Sequence, residues 1–329
     1  MKITHRNIIL FLTVCLVFLS FLHLNNGKIN FDFGLIFKSI FNFNDSIQQE
    51  IIFREIRFPR TIIAIFAGTG LSIAGVLLQT FFNNPLAGPS VLGITSGSSL
   101  FVALSVLSGF ELFSTDLGIT FSALFGAFTF SLLILLFSYF VKSAVSLLLI
   151  GMMLASFTSA IIQILQLTTP ANQLKVFTLW GFGSLQQISF NQLFFVSIVF
   201  LLGISLLTIL IKPLNLLVLG EKQAQILGIN ISNFKFVIIG VSSLFAGLIT
   251  AYCGPISFIG LAVPNICKQL FKTQNHLILI LGSALIGALL LLICDLIIMY
   301  LEPIMLIPLN GITALIGSPI VVWIILKKF

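Results

Sequence analysis

The stretch Arg54-Glu55-Ile56-Arg57-Phe58-Pro59-Arg60 runs into an apolar segment, Thr61 to Phe82, and then into a kinked polar break, Asn83-Asn84-Pro85-Leu86-Ala87-Gly88-Pro89. A second apolar segment opens directly after it with Ser90-Val91-Leu92-Gly93-Ile94-Thr95-Ser96-Gly97. The order is charge, membrane, turn, membrane. The first apolar segment carries Gly68, Gly70, Ala74 and Gly75 at close helical spacing. Small residues at that spacing let helix backbones approach each other where lipid supplies no hydrophobic drive between them. A packed bundle of spans is expected, not a lone anchor.

Composition agrees. The chain has 329 residues, 58% of them apolar and only 8% charged, with a mean hydropathy of +1.19. A water-soluble domain cannot cover its surface with so few polar groups. The reading is an all-α membrane protein, one polytopic domain over residues 1–329, with about ten crossings of about 20 residues each. The net charge of +7 does not point to nucleic acid, because the basic residues flank apolar spans and form no patch in a soluble module. Cys15, Cys253, Cys267 and Cys294 show no CxxC pairing and lie in or beside apolar runs, which reads as helix packing. His5, His23 and His276 stand near span ends without ligand spacing, so no metal site is expected.

Along the chain, Ile8 to Leu24 reads as the first span, since no small-residue cleavage site precedes Asn25-Asn26. Residues 25–55, with alternating Phe31, Phe33, Phe37, Phe41 and Phe43, read as an external loop against the membrane surface. The second span is Ile56 to Phe82, the short third Ser90 to Leu107, the fourth Leu117 to Val141 and the fifth Ser143 to Leu167. The fifth carries Met152, Met153, Ser156, Ser159 and Gln163; these groups could line a solute path or bond neighbouring helices. Thr168 to Ser189 is too interrupted to cross and should hold a short interfacial helix. The sixth span is Phe190 to Ile211, the seventh Phe234 to Tyr252, a broken eighth Ile256 to Leu270, the ninth His276 to Tyr300 and the tenth Pro308 to Leu326. Both termini then lie inside.

The charges test that topology. Ten Lys and Arg fall inside and six outside, in line with the positive-inside rule. Arg54, Arg57 and Arg60 nevertheless crowd an external patch. Lipid phosphate could hold them there, or an acidic protein surface, which arginine's fork pairs with bidentately. The longest polar island lies on the inner side within residues 212–233. In it, Glu221 suits the first turn of a short helix and Gly228 its left-handed end, with Ala224 and Leu227 on one face. So short a helix is marginal in water, and its apolar face needs a partner. A further pattern pairs Gly88-Pro89-Ser90-Val91-Leu92-Gly93, after span two, with Gly254-Pro255-Ile256-Ser257-Phe258-Ile259-Gly260, after span seven. Those spans run in opposite directions, so spans two to five and seven to ten could form an inverted repeat.

These residues together resemble the permease subunits of bacterial ABC importers for iron-siderophores, haem and vitamin B12. The likeness is carried by Arg57-Phe58-Pro59-Arg60, Gly75 with Gln79, Asn84-Pro85-Leu86-Ala87, Gly220-Glu221 with Ala224 and Leu227-Gly228, Gly254 to Leu261, Val263-Pro264, Asp295, Ile307-Pro308 and Thr313 to Pro319. It implies two ten-span subunits, identical or paralogous, enclosing a path in the bacterial cytoplasmic membrane. It also implies separate ATPase subunits on the inner side and an external solute-binding protein. Arg54, Arg57 and Arg60 would meet that protein, and Gly220, Glu221, Ala224, Leu227 and Gly228 would couple to the ATPase. Asn265, Lys268 and Met299 depart from the family pattern of histidine, arginine and arginine, and Pro308-Leu309-Asn310-Gly311 departs from Pro-x-Gly.

No chemistry is expected of this chain. It lacks a phosphate-cradling Gly-rich loop ending in Gly-Lys-Ser/Thr, and no nucleophile and base stand together. The expected activity is ATP-driven uptake of an iron-siderophore, or of haem or vitamin B12, with no cofactor on the chain and ATP used by the partner. An ion-driven secondary transporter would need paired carboxylates in mid-span, whereas the candidate, Asp295, lies near an end.

Overall fold

The structure, a computed structural model, describes residues 5–26, 47–108, 115–141 and 143–326. The aromatic part of the expected external loop, Lys28 and Lys38, most of the turn before Asp116, Lys142, and the terminal lysines lie outside the described residues. The described chain is helical: α1 (His5–Asn25), α2 (Gln48–Ile51), a π-helical turn (Ile52–Arg57) leading into α3 (Phe58–Phe81), α4 (Ile94–Leu107), α5 (Asp116–Phe140), α6 (Ala144–Thr168), α7 (Ala171–Gly181), α8 (Phe190–Leu217), α9 (Glu221–Ile226), α10 (Ile231–Cys253), α11 (Ile259–Phe271), α12 (His276–Leu301) and α13 (Leu309–Leu326).

Seven of these are long and apolar enough to cross a bilayer: α1, α3 with its lead-in, α5, α6, α8, α10 and α12. The ten-span reading is completed by three shorter helices, α4, α11 and α13. At about 1.5 Å per residue, the 14 residues of α4 and the 13 of α11 rise only about 20 Å, short of a hydrocarbon core of about 30 Å. Each is preceded by non-helical chain. Residues 82–93 link the end of α3 to the start of α4, and residues 254–258 link α10 to α11. The first stretch meets the start of α11 in the interior, because a Cβ on Gly260 would lie 3.0 Å from Pro89 Cδ and 2.8 Å from the Leu71 carbonyl oxygen. Irregular backbone survives at that depth only where protein encloses it.

The two halves of the chain are interlocked. α3 packs against α11 and α12 of the second half, α10 packs against α4 and α5 of the first, and α3 and α10 meet each other. α3 is the hub. Ile63, Ala64, Ala67, Leu71, Ala74, Leu77 and Leu78 along it are at most 2% exposed. Its glycines set the spacing: a Cβ on Gly68 would land on the backbone of Gly287 in α12, and one on Gly75 would land on the carbonyl of Gly260 in α11. Backbones this close gain dispersion and leave no room for a methyl group. By contrast α1, α5 and α8 turn Leu10, Phe11, Phe121, Phe128, Phe194 and Leu201 outward, as a lipid boundary requires.

One boundary differs from expectation. α8 continues from Ile211 through Pro213 to Leu217, because a proline in a packed membrane helix can leave its freed carbonyl to neighbouring groups. The extension carries Asn215, whose Oδ1 accepts the His276 backbone N–H at 2.8 Å and also lies 2.9 Å from His276 Nδ1, fastening α8 to the start of α12.

Candidate functional site

The Arg54 to Arg60 cluster and the α9 segment occupy opposite ends of the bundle. α3 begins beside Arg57, and its last residues, Thr80 and Phe81, share a cleft with Glu221. Its 24 residues separate the two by about 36 Å.

At the arginine end, the π turn and Pro59 in the first turn of α3 rotate Arg57 and Arg60 toward the bundle. Arg60 is 6% exposed. Its Nε donates to Asp295 Oδ2 at 2.7 Å and its Nη2 to Asp295 Oδ1 at 2.9 Å, a bidentate pair with α12. His23 of α1 brings Nε2 to the same Oδ2 at 2.8 Å and Nδ1 to Thr61 Oγ1 at 2.8 Å. The Thr61 hydroxyl donates to the Arg57 carbonyl at 2.9 Å, and Arg57 Nη1 donates to the Leu24 carbonyl at 2.9 Å. Arg54 stands with its guanidinium carbon 4.5 Å from the centre of the Phe190 ring, within range of a cation–π contact. The three arginines are therefore built into helix-to-helix contacts. A cleft of about 310 Å³ opens over Arg60 and Asp295, and Glu302 and Gln186 stand on its wall. Glu302 Oε2 lies 4.0 Å from Arg60 Nη1, and Gln186 Nε2 donates to Glu302 Oε1 at 3.2 Å. Sequence reading assigned no role to His23. Its partner is 272 residues away, and no local pattern marks such a contact.

At the other end, α9 forms as expected. Gly220 at φ +104° and Gly228 at φ +90° bracket it, conformations that only glycine adopts cheaply, and Ile229 N–H closes back on the Ala224 carbonyl at 3.0 Å. The apolar face is different from the one expected. Ala224 is fully buried, whereas Leu227 is 56% and Ile226 84% exposed. Ala224 seats the helix on α8 and α10, and the apolar pair left outward is Ile226 with Leu227. Beside Glu221 lies a cleft of about 780 Å³ bordered by Gln79, Thr80, Asn83, Lys268, Lys272 and His276. Lys268 Nζ donates to Gln79 Oε1 at 3.2 Å. Asn265, one of the departures from the family pattern, donates to the Pro85 and Leu261 carbonyls at 2.9 and 2.8 Å, tying α11 to the break after α3.

The four residues named for a path, Met152, Ser156, Ser159 and Gln163, are all exposed on α6. Only 22% of that helix's spanning window is buried, against 78% for α3, so α6 shows a face bearing polar groups at membrane depth. Ser156 Oγ donates to the Met152 carbonyl at 3.1 Å, but an exposed amide such as that of Gln163 is costly against lipid and calls for another subunit or water.

A bundle of interlocked halves, with seven helices long and apolar enough to cross a membrane and two differentiated ends, fits a multi-pass transport permease. The model of the FecCD transport family matches residues 15–327, and the chain belongs to that family. It is 32% identical to the hemin transport system permease protein of Yersinia pestis, over 99% of this chain and 97% of that one. It is 35% identical to the molybdate import system permease protein of Haemophilus influenzae, over 84% and 81% of the two chains. A solved structure assigned to the metal-chelate type of ABC transporter, in an inward-facing conformation, superposes with a TM-score of 0.85 at 32% identity, covering 98% of this chain and 99% of that one. The protein is an ABC importer permease.

Proposed function

We propose that this chain is the permease of an ATP-driven importer that carries an iron-siderophore or a similar metal chelate across the bacterial cytoplasmic membrane, with both termini in the cytoplasm. The observation that carries the reading is the separation of two unlike ends on one rigid bundle: a cation-bearing cleft at Arg60 and a protruding apolar pair, Ile226 and Leu227, on a helix pinned by Ala224. The first end fits acidic side chains of an extracellular solute-binding protein, met by Arg54, Arg57 and Arg60. The second fits a groove in a separate ATPase subunit, with Gly220, Glu221, Ala224, Leu227 and Gly228 forming the coupling element. ATP binding in that partner would move α9 and, through α8 and α10, bias the bundle between outward-open and inward-open states.

The polar face of α6 fits the path shared with a second permease subunit, with Met152, Ser156, Ser159 and Gln163 along it. A second reading of the cargo, an oxyanion, is supported by the 35% identity to the molybdate permease. Uptake of radiolabelled iron chelates, haem, cobalamin and molybdate by cells with and without this chain separates these cargoes. Loss of chelate uptake alone is the expected result, and loss of molybdate uptake alone would replace the chelate reading.

A further inference from the structure

Among the described residues His23 is the one histidine buried within an ion pair, and the transport reading above makes no use of it. It is 1% exposed, yet it sits on α1, whose spanning window is only 6% buried. A helix so loosely enclosed does not require a buried polar side chain for its own packing. What His23 does is reach Asp295 from another helix than Arg60. Asp295 Oδ2 receives Arg60 Nε at 2.7 Å and faces His23 Nε2 at 2.8 Å, so one carboxylate oxygen is held by two different helices. The imidazole is aimed by Thr61 Oγ1 at its other nitrogen. The charged groups around it are Asp295 on α12, Arg60 at the start of α3, Arg57, whose carbonyl takes the Thr61 hydroxyl, and Glu302 beyond the end of α12.

The cleft of about 310 Å³ makes this arrangement consequential. Arg60 lines it, and its Nη1 edge, which Asp295 does not use, faces Glu302 Oε2 at 4.0 Å. A guest carboxylate that takes this edge bidentately draws Arg60 away from Asp295. A buried carboxylate left without a partner is strongly destabilising, which would oppose the guest. With His23 in place, Asp295 retains a charge-assisted hydrogen bond throughout the exchange. We propose that His23 is a positioning residue for docking: by holding Asp295 from the α1 side, it releases Arg60 to pair with an acidic side chain of the solute-binding protein entering the cleft. The inference rests on the reading of the arginine end given above.

The test measures the affinity of the purified solute-binding protein for the complete permease–ATPase complex in lipid nanodiscs. His23→Leu is expected to weaken docking about tenfold, the scale of a lost hydrogen bond to a charged group. His23→Gln places an amide donor near the Nε2 position and should restore affinity to within about threefold of the parent. In an Asp295→Asn background the neutral amide needs no second holder, so His23→Leu should change affinity less than about twofold; a purely structural role would give the same loss in both backgrounds. If His23→Leu does not assemble, His23→Asn, whose shorter amide does not reach Asp295, must give the tenfold loss instead. Parent-like affinity of the Leu or Asn variant, or a loss that persists unchanged in the Asp295→Asn background, overturns the role of His23. Arg60→Gln keeps the two levels apart. If it too leaves docking intact, the reading of the arginine end fails; if it abolishes docking while the His23 variants do not, only the inference fails.

Discussion

Removing Asp295 should be among the most damaging single changes outside the glycine contacts. In Asp295→Ala, the Arg60 guanidinium, 6% exposed, loses acceptors at 2.7 and 2.9 Å, and His23, 1% exposed, loses the carboxylate at 2.8 Å. Breaking a buried pair by deleting one partner costs about 3–5 kcal/mol, because the remaining charge stays desolvated. In a chain of this size that corresponds to a drop in melting temperature of roughly 4–7 °C. Replacing both members, Arg60→Met with Asp295→Leu, removes both charges and should restore most of the loss, since an apolar pair of similar volume is often neutral or better. The assay is thermal unfolding of the purified protein in detergent, followed by intrinsic fluorescence of Trp180 and Trp323. An Asp295→Ala variant that melts within about 2 °C of the parent would refute the buried pair, and a double variant no more stable than the single one would refute the charge argument.

The short helix separates fold from function. Ile226→Asp and Leu227→Asp, at exposed positions, should leave the melting temperature within about 2 °C yet abolish ATP-driven uptake, whereas Ala224→Leu, at a fully buried position, should unseat α9 and lower stability by about 1–3 kcal/mol. Gly75→Val places its side chain against the Gly260 backbone where nothing can give way, and folded protein recovered after expression should fall severalfold; normal yield would mean that α3 and α11 are farther apart than described. Ser159→Leu with Gln163→Leu should slow uptake without loss of stability if the exposed face of α6 lines the path, and unchanged uptake would assign that face elsewhere.

The spans were legible because lipid imposes a length and a composition that a sequence must display. The third span, read as short, and the eighth, read as broken, are the short helices α4 and α11. α9 was legible for a local reason, since glycines at its two ends permit conformations other residues resist. What could not be read was where long side chains find their partners. Arg60 meets Asp295 across 235 residues and His23 meets it across 272, so a cluster that looks like a surface charge patch turns out to be the polar fastening of three helices. On α9 burial separates residues that spacing placed together. The small Ala224 is covered by the neighbouring helices, whereas the longer Leu227 at the helix end stays 56% exposed. The extension of α8 past Pro213 was hidden because proline ends helices in water more reliably than in a packed membrane bundle.

The central claim is that this bundle moves its cargo only when an ATPase works on its α9 end. The direct measurement is cargo uptake into sealed vesicles containing the purified permease, with the ATPase subunit, the solute-binding protein and ATP each supplied or withheld. Uptake that requires all three is the predicted result. Uptake by the permease alone, driven by a proton or sodium gradient, would contradict it.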